Sequence, residues 1–324
     1  MVATDEEIKE MILEHPMKYL GPFFFGAVLD TLLYGVIISK IIYWGDWSAK
    51  SDSRKNRIVV FLIFCLSTGA TVYIIYWMST LFVQGFGKSY QSFLSFHYLA
   101  WYSVWEVGAC TVSHLYYTER AYRLNDNRKW IPLVILPLLL ISIAGAIGVR
   151  VASFKYSSLL LAGKFSSFAY TWLITGALID IILLIAMTKG LAKSKTGWST
   201  TDHLLKKLIK LSVETQLPGT LLAIGFMLQY GIRPTSTFCV IWAVVLPKTY
   251  MICLMTVINS RVTLRRTLET LRESEENDNV YRPRRNGCHE RDDDIPVGPI
   301  SYPTVFIESS VAELELDDRM QEVK

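Results

Sequence analysis

The chain carries no Gly-x-Ser-x-Gly elbow, no glycine-rich phosphate loop and no His-x-x-Glu or His-x-x-x-His spacing within one helix. Each absence removes a class of chemistry. Those patterns are what place a nucleophile, phosphate-binding N–H groups or two metal ligands on one face. The sequence therefore reads as a non-enzyme, with no catalytic residue, no metal site and no cofactor expected. No Asn-x-Ser/Thr acceptor occurs, so glycosylation marks no loop as outward-facing. Cysteine is sparse and badly placed for staples. Cys65, Cys110, Cys239 and Cys253 lie in apolar runs and Cys288 in the polar C-terminal part, which leaves no loop disulfide framework. Charge is scarce as well, at 19% of residues. The Lys and Arg residues sit in short loops rather than in one patch, which argues against a nucleic-acid partner. The first 19 residues are acidic and polar and lack a basic stretch ahead of a short apolar core. No cleaved signal peptide is expected, and the first apolar helix is expected to act as the insertion signal.

What the chain does have is apolar length. Hydrophobic residues make up 51% of its 324 residues and the mean hydropathy is +0.30. Seven apolar runs stand out, over 20–44, 58–83, 96–117, 130–151, 165–188, 208–230 and 237–258. About 20 helical residues cross a hydrocarbon core of about 30 Å. The fold class expected is all-α: a polytopic membrane protein with a seven-transmembrane-helix bundle over 20–258 and the lipid bilayer as its first partner. A polar extracellular N-terminus (1–19) precedes the bundle, with a short amphipathic helix at 5–13 that Pro16 ends. A basic juxtamembrane segment (259–286) follows it. Leu264, Leu268 and Leu271 there have the spacing of a surface helix. The acidic, proline-interrupted stretch 287–324 is expected to be a disordered cytoplasmic tail.

Lys and Arg also set the orientation. The first, third and fifth loops hold the basic residues, among them Arg54, Lys55, Arg123, Arg128, Lys189 and Lys193, and the opposite loops hold few. The positive-inside rule then puts the N-terminus outside and the C-terminus in the cytoplasm, with the plasma membrane as the expected location. Small residues four apart, Ala144 with Gly148 and Gly219 with Ala223, suit close helix packing in lipid. Pro137, Pro218 and Pro247 are expected kink points.

Ionisable groups inside apolar runs are costly and need a partner or a task. Asp30, Glu106 and Lys248 fall at similar depth, about 15–17 Å from the outer face at 1.5 Å per residue. They form the candidate intramembrane polar pocket, with Glu106 the first expected partner of Lys248 and Asp30 the second. His114, Asp180 and Glu214 are secondary polar positions. His114 is expected to bond within the bundle. Asp180 and Glu214 are expected nearer the cytoplasmic side, within reach of water or the loop lysines. His97 is expected at the interface.

Several of these residues also carry a resemblance. They are Gly21, Gly26, Tyr34, Gly35 and Tyr43 in the first run and Thr201-Asp202 before the sixth. Leu208 to Thr215, Lys248-Thr249-Tyr250 and the closing Asn259-Ser260-Arg261 complete the set. Over about residues 20 to 261 the chain resembles the uncharacterised seven-helix membrane proteins of mushroom-forming fungi, a family defined by a domain of unknown function. The resemblance implies the fold and a fungal membrane protein, and it implies no activity.

Three functional readings remain. The first is a receptor-like sensor whose cytoplasmic loops and tail engage a protein partner. Thr118-Glu119-Arg120 closes the third run as an acid–arginine pair does in G-protein-coupled receptors. Pro247-x-x-Tyr250 is similar to their seventh-helix motif, although Leu246 stands in place of its asparagine. The second is a retinal-type chromophore protein, with Lys248 as the Schiff-base lysine and Glu106 as its counter-ion. Val244 stands where microbial rhodopsins carry an aspartate. The third is a transporter or lipid-handling protein, against which the lack of an internal repeat counts.

Overall fold

A computed structural model of the protein describes residues 5–49, 52–85, 90–155, 158, 161, 163, 166–193, 199–233 and 235–280, with backbone alone at 91, 191, 199–214 and 261–280. Two short helices, α1 (Asp5–Glu14) and α2 (Pro16–Tyr19), lead into α3 (Gly21–Trp47) and α4 (Arg54–Ser79). A π-helical turn (Thr80–Gln84) and a 3-10 turn (Gln91–Leu94) precede α5 (Phe96–Leu124). Then come α6 (Trp130–Lys155), α7 (Ser166–Lys193), α8 (Ser199–Ile232) and α9 (Cys239–Val280). Apart from a single bridge between Ser95 and Ser158, the described residues hold no strand pairing. Residues Met1–Ser260 form one compact unit and Arg261–Lys324 a second.

Local chemistry explains the boundaries. Pro22 occupies the first turn of α3, where its missing N–H costs nothing. Ser53 caps α4 by accepting the Asn56 N–H at 3.4 Å. Between α5 and α6, Asp126 and Asn127 take positive φ angles of 54° and 57°. Asp and Asn tolerate that region, and it lets the chain reverse in a few residues.

Among the described residues, five helices are long and apolar enough to cross a membrane: Gly21–Trp47, Arg54–Gln84, Trp130–Lys155, Ser166–Gly190 and Cys239–Ser260. Large apolar side chains such as Phe24, Leu32, Phe61, Leu133, Leu140 and Phe154 point outward on them. Water would penalise that surface, whereas hydrocarbon suits it, so the helices imply a lipid environment. Cys239–Ser260 is the most enclosed of the five.

One expectation changes. The N-terminal stretch is not simply polar, because Ile8 and Ile12 of α1 are buried in the core cluster that also holds Phe93 and Leu94. The amphipathic spacing of α1 lets one face pack and leaves its acids outside. The segment holding Leu264, Leu268 and Leu271 is helical, as part of α9, which extends to Val280. The expected tail beyond residue 286 lies outside the described residues.

Close helix approach depends on glycine. A Cβ on Gly145 of α6 would stand 2.9 Å from the Trp172 backbone N and 3.1 Å from the Phe168 carbonyl of α7. A Cβ on Gly219 would stand 2.9 Å from the Tyr250 ring. The expected pairs Ala144/Gly148 and Gly219/Ala223 thus point to real contacts. At the first, however, the tightest backbone approach is at Gly145.

The helix ends that carry the basic loops are tied together. Lys55 bonds Glu119 at 3.0 Å, and Arg123 bonds the same carboxylate at 2.7 Å. Partial burial pushes the Glu119 carboxyl up, but the bonds from Lys55 and Arg123 outweigh that and hold it below its ordinary value. Lys193 pairs with Asp126 and lowers that carboxyl likewise. Asn125 donates to the Ala186 carbonyl at 2.9 Å, which joins the α5–α6 turn to α7.

Gly145→Ala is expected to cost about 1–3 kcal/mol, because the blocking atoms are backbone and cannot swing aside. Gly35→Ala, with nothing within 4 Å, is expected to be neutral or stabilising. Unfolding of the two variants in the same lipid or detergent compares them directly.

Candidate functional site

The polar residues of the bundle sort into two buried clusters and one cavity wall. The first cluster joins α3, α4, α5 and α9. Asp30 and Lys248 are buried, at 0% and 1% exposure. The Lys248 ammonium stands 3.3 Å from Asp30 Oδ1. It also donates to the Ser67 carbonyl at 2.9 Å and to Thr71 Oγ1 at 2.6 Å. Thr71 in turn donates to Asp30 Oδ2 at 2.7 Å. The ammonium has three N–H groups, and this shell supplies three oxygen partners for them. Tyr102 adds a longer contact from α5, 3.5 Å to Asp30 Oδ1 and to the Val244 carbonyl. The Tyr34 ring lies 5.2 Å from the ammonium and presents a π face to it.

The second cluster joins α5, α7 and α9. His114 Nε2 meets Asp180 Oδ1 at 3.0 Å, and the Tyr250 hydroxyl donates to Asp180 Oδ2. The His114 and Tyr250 rings pack edge to face at 5.6 Å. Asp180 is therefore a buried acceptor within the bundle, not the water-facing group expected from its position. Its partners come from α5 and α9, which close over that face of α7. His114 does bond within the bundle. The Glu214 side chain lies outside the described residues. His97, at the start of α5, accepts from Trp101 Nε1 at 3.2 Å on an exposed face.

Glu106 belongs to neither cluster. It is buried, and among the described residues neither of its carboxyl oxygens has a hydrogen-bond partner. The expected order of partners for Lys248 is thus reversed. Asp30 takes the ammonium, and no ion pair joins it to Glu106 among the described residues. Phe96, Leu99, Ser103 and Glu106 follow i, i+3, i+7, i+10 spacing and form one stripe.

That stripe walls a small, partly open apolar cavity of about 40 Å3. Val149 of α6, Trp172 of α7, Phe226 and Tyr230 of α8, and Ala243 of α9 complete its wall. These residues come from the early turns of α5, α7 and α9 and the late turns of α6 and α8. The cavity therefore sits in the half of the bundle where α2 lies. Thr237, just ahead of α9, confirms the sense by bonding the Lys18 carbonyl at 2.8 Å. Lys248 is not part of the wall. A Schiff base would need its amine free and next to ligand space. The amine is instead fully engaged, so the arrangement gives the chromophore reading no support. No group of three or more His, Cys, Asp or Glu residues suited to a metal occurs among the described residues.

A family described as a family of unknown function (DUF6534) matches residues 176–263. The matched stretch carries Asp180, Lys248 and Tyr250 but neither Asp30 nor Glu106. No curated protein and no solved structure matches the chain.

Removing one partner of a buried ion pair leaves an uncompensated charge, at a cost of about 3–5 kcal/mol. Lys248→Met is expected to destabilise on that scale. Adding Asp30→Asn is expected to recover part of the loss, with a coupling of about 0.5–3 kcal/mol. Adding Glu106→Gln instead is expected to be additive. A double-mutant cycle on unfolding free energy reads all three.

Proposed function

We propose that the chain is a seven-pass, receptor-like membrane sensor whose ligand enters the cavity beside Glu106. One observation carries this reading: a fully buried carboxyl with both oxygens unpartnered, on the wall of an otherwise apolar space. Burying such a group unpaired costs several kcal/mol. A site that tolerates the cost is favoured where a ligand supplies the missing contact.

Helix length supports seven passes. Beyond the five apolar spans, α5 has 29 residues and α8 has 34. At 1.5 Å per residue they extend about 43 Å and about 51 Å, enough to cross the bilayer. The polarity of α5 is turned inward, through Ser103, Glu106, Ser113 and His114, so lipid does not meet it. The basic loops gather at the end away from the cavity, which supports a cytoplasmic placement for them and an outward-facing cavity. The sensor works at the plasma membrane and binds rather than catalyses. Its basic face and the residues after 260 are the surfaces that engage a cytoplasmic protein partner.

The structure offers a route between the two ends. The Asp30–Lys248 and His114–Asp180–Tyr250 clusters both involve α9, and α9 also walls the cavity through Ala243. A ligand that displaces the start of α9 would act on both clusters. The reading is tested without knowing the ligand. Ala243→Phe fills the cavity and mimics occupancy. Hydrogen exchange of the full chain in lipid nanodiscs is expected to show at least a twofold change in protection at residues 120–130 and 186–193. A change confined to the cavity half would contradict the sensor reading. An extracellular reporter signal from a fusion after Lys324 would contradict the orientation.

A further inference from the structure

We infer that Arg150, held in place by Trp101 and Ser153, binds the phosphate of one phospholipid headgroup where α5 and α6 meet, with the acyl chains along Ile147, Val151 and Phe154. The inference rests on the lipid environment of the helices and is independent of the cavity beside Glu106.

The cation lacks a counter-charge. A guanidinium carries five N–H donors. One of them, on Arg150 Nη1, goes to Ser153 Oγ at 2.6 Å. The guanidinium carbon also stands 4.2 Å from the centroid of the Trp101 ring and 4.2 Å from that of Phe154. These contacts hold the group but supply no negative charge. No ion pair joins Arg150 to a carboxylate among the described residues. The adjoining loops cannot supply one, because residues 80–95 and 156–165 contain neither Asp nor Glu. By contrast, Lys55 and Arg123 share Glu119, Lys193 has Asp126 and Lys248 has Asp30. A charge within an apolar helix needs a partner, and here the protein provides none.

Depth places the group among lipid headgroups. The 26 residues of α6 extend about 39 Å. A hydrocarbon core is about 30 Å thick, so a centred helix overhangs it by about 4–5 Å at each end. Arg150 stands five residues before Lys155, where α6 ends, so its Cα lies about 3 Å inside the boundary. Its contacts with Ser153 and Phe154, three and four residues further on, show that the side chain runs toward that end. A charged head on a long stem reaches the boundary in this way. Around it, Ile147, Val151, Phe154 and Trp101 are exposed. They give acyl chains an apolar bed beside the cation.

These features narrow the class of ligand. The planar fork of N–H groups matches an oxyanion through two parallel bonds. The rings and the Ser153 bond fix the guanidinium beforehand, which lowers the cost of ordering it on binding. A soluble anion would gain the charge contact alone and leave the apolar side chains uncovered. An uncharged lipid would cover them and leave the guanidinium unmatched. A phospholipid meets both requirements with one molecule.

The test titrates the full chain in detergent with single lipids and counts bound molecules by native mass spectrometry. The probes are dioleoyl phosphatidylglycerol, dioleoylglycerol, which has the same chains without the phosphate, and inorganic phosphate. The phospholipid is expected to bind about tenfold tighter than dioleoylglycerol, and equimolar inorganic phosphate is expected not to displace it. Arg150→Gln is expected to weaken the phospholipid about tenfold and to leave dioleoylglycerol within about twofold. Arg150→Lys, which keeps the charge and loses the fork, is expected to fall between the two. Equal affinity for the two lipids in the unmodified chain would overturn the proposal, whether or not Arg150→Gln folds. So would unchanged phospholipid affinity in a folded Arg150→Gln chain. Displacement by equimolar inorganic phosphate would assign the position to a soluble anion and overturn the lipid source.

Discussion

The ion pair between Asp30 and Lys248 is the contact on which the rest of the site depends. A lone lysine at the centre of a membrane helix costs about 2.5–3.5 kcal/mol on insertion scales. Here the charge is met by a carboxylate and two further oxygens from α4, all within 3.3 Å. The pair ties α9 to α3 and α4 at mid-depth. Its larger consequence lies elsewhere. With Lys248 paired to Asp30, Glu106 has no cationic partner among the described residues, and it lines the cavity. Had Glu106 taken the lysine, the cavity would be an apolar void with no chemistry of its own.

The packing around the pair follows membrane logic. Lipid-facing surfaces are apolar and give helices no reason to associate, so close contact has to come from shape. Glycines provide it by seating neighbours. Gly145 admits the backbone of α7, and Gly219 admits the ring of Tyr250, whose hydroxyl then reaches Asp180. A small residue in one helix thus allows a polar contact between two others. The inner polarity of α5 is handled in part in the same way: His114 Nε2 is matched by Asp180, while Glu106 and the Ser113 hydroxyl have no hydrogen-bond partner among the described residues.

Much of this was legible in the residues, for identifiable reasons. Apolar run length pointed to the long helices of the described residues, five of which are long and apolar enough to cross a bilayer, because crossing imposes a minimum apolar length. The depth argument singled out Asp30, Glu106 and Lys248, and all three side chains are buried. It could not rank the partners of Lys248, since depth fixes height and not rotation about the helix axis. Phe96, Leu99, Ser103 and Glu106 share one stripe, but Tyr102, which reaches Asp30, lies only about 40° from Glu106 around the helix, so spacing alone did not separate the two carboxylates. Ser67 and Thr71, four apart on α4, carried the matching signal for the lysine shell. The burial of α1 was missed because its acidic residues dominate its composition while Ile8 and Ile12 alone make the contact.

The central claim is the division of labour between the two carboxylates: Asp30 neutralises Lys248, and Glu106 is reserved for the cavity. A high-resolution structure of the full chain extracted with its native lipids tests it most directly. The account predicts Lys248 Nζ within about 4 Å of Asp30, the limit of an ion pair. It also predicts non-protein density at hydrogen-bond distance, about 3 Å, from the Glu106 carboxyl. A structure in which Lys248 pairs with Glu106 would contradict it, because the cavity would then hold no unpaired group for a ligand to satisfy.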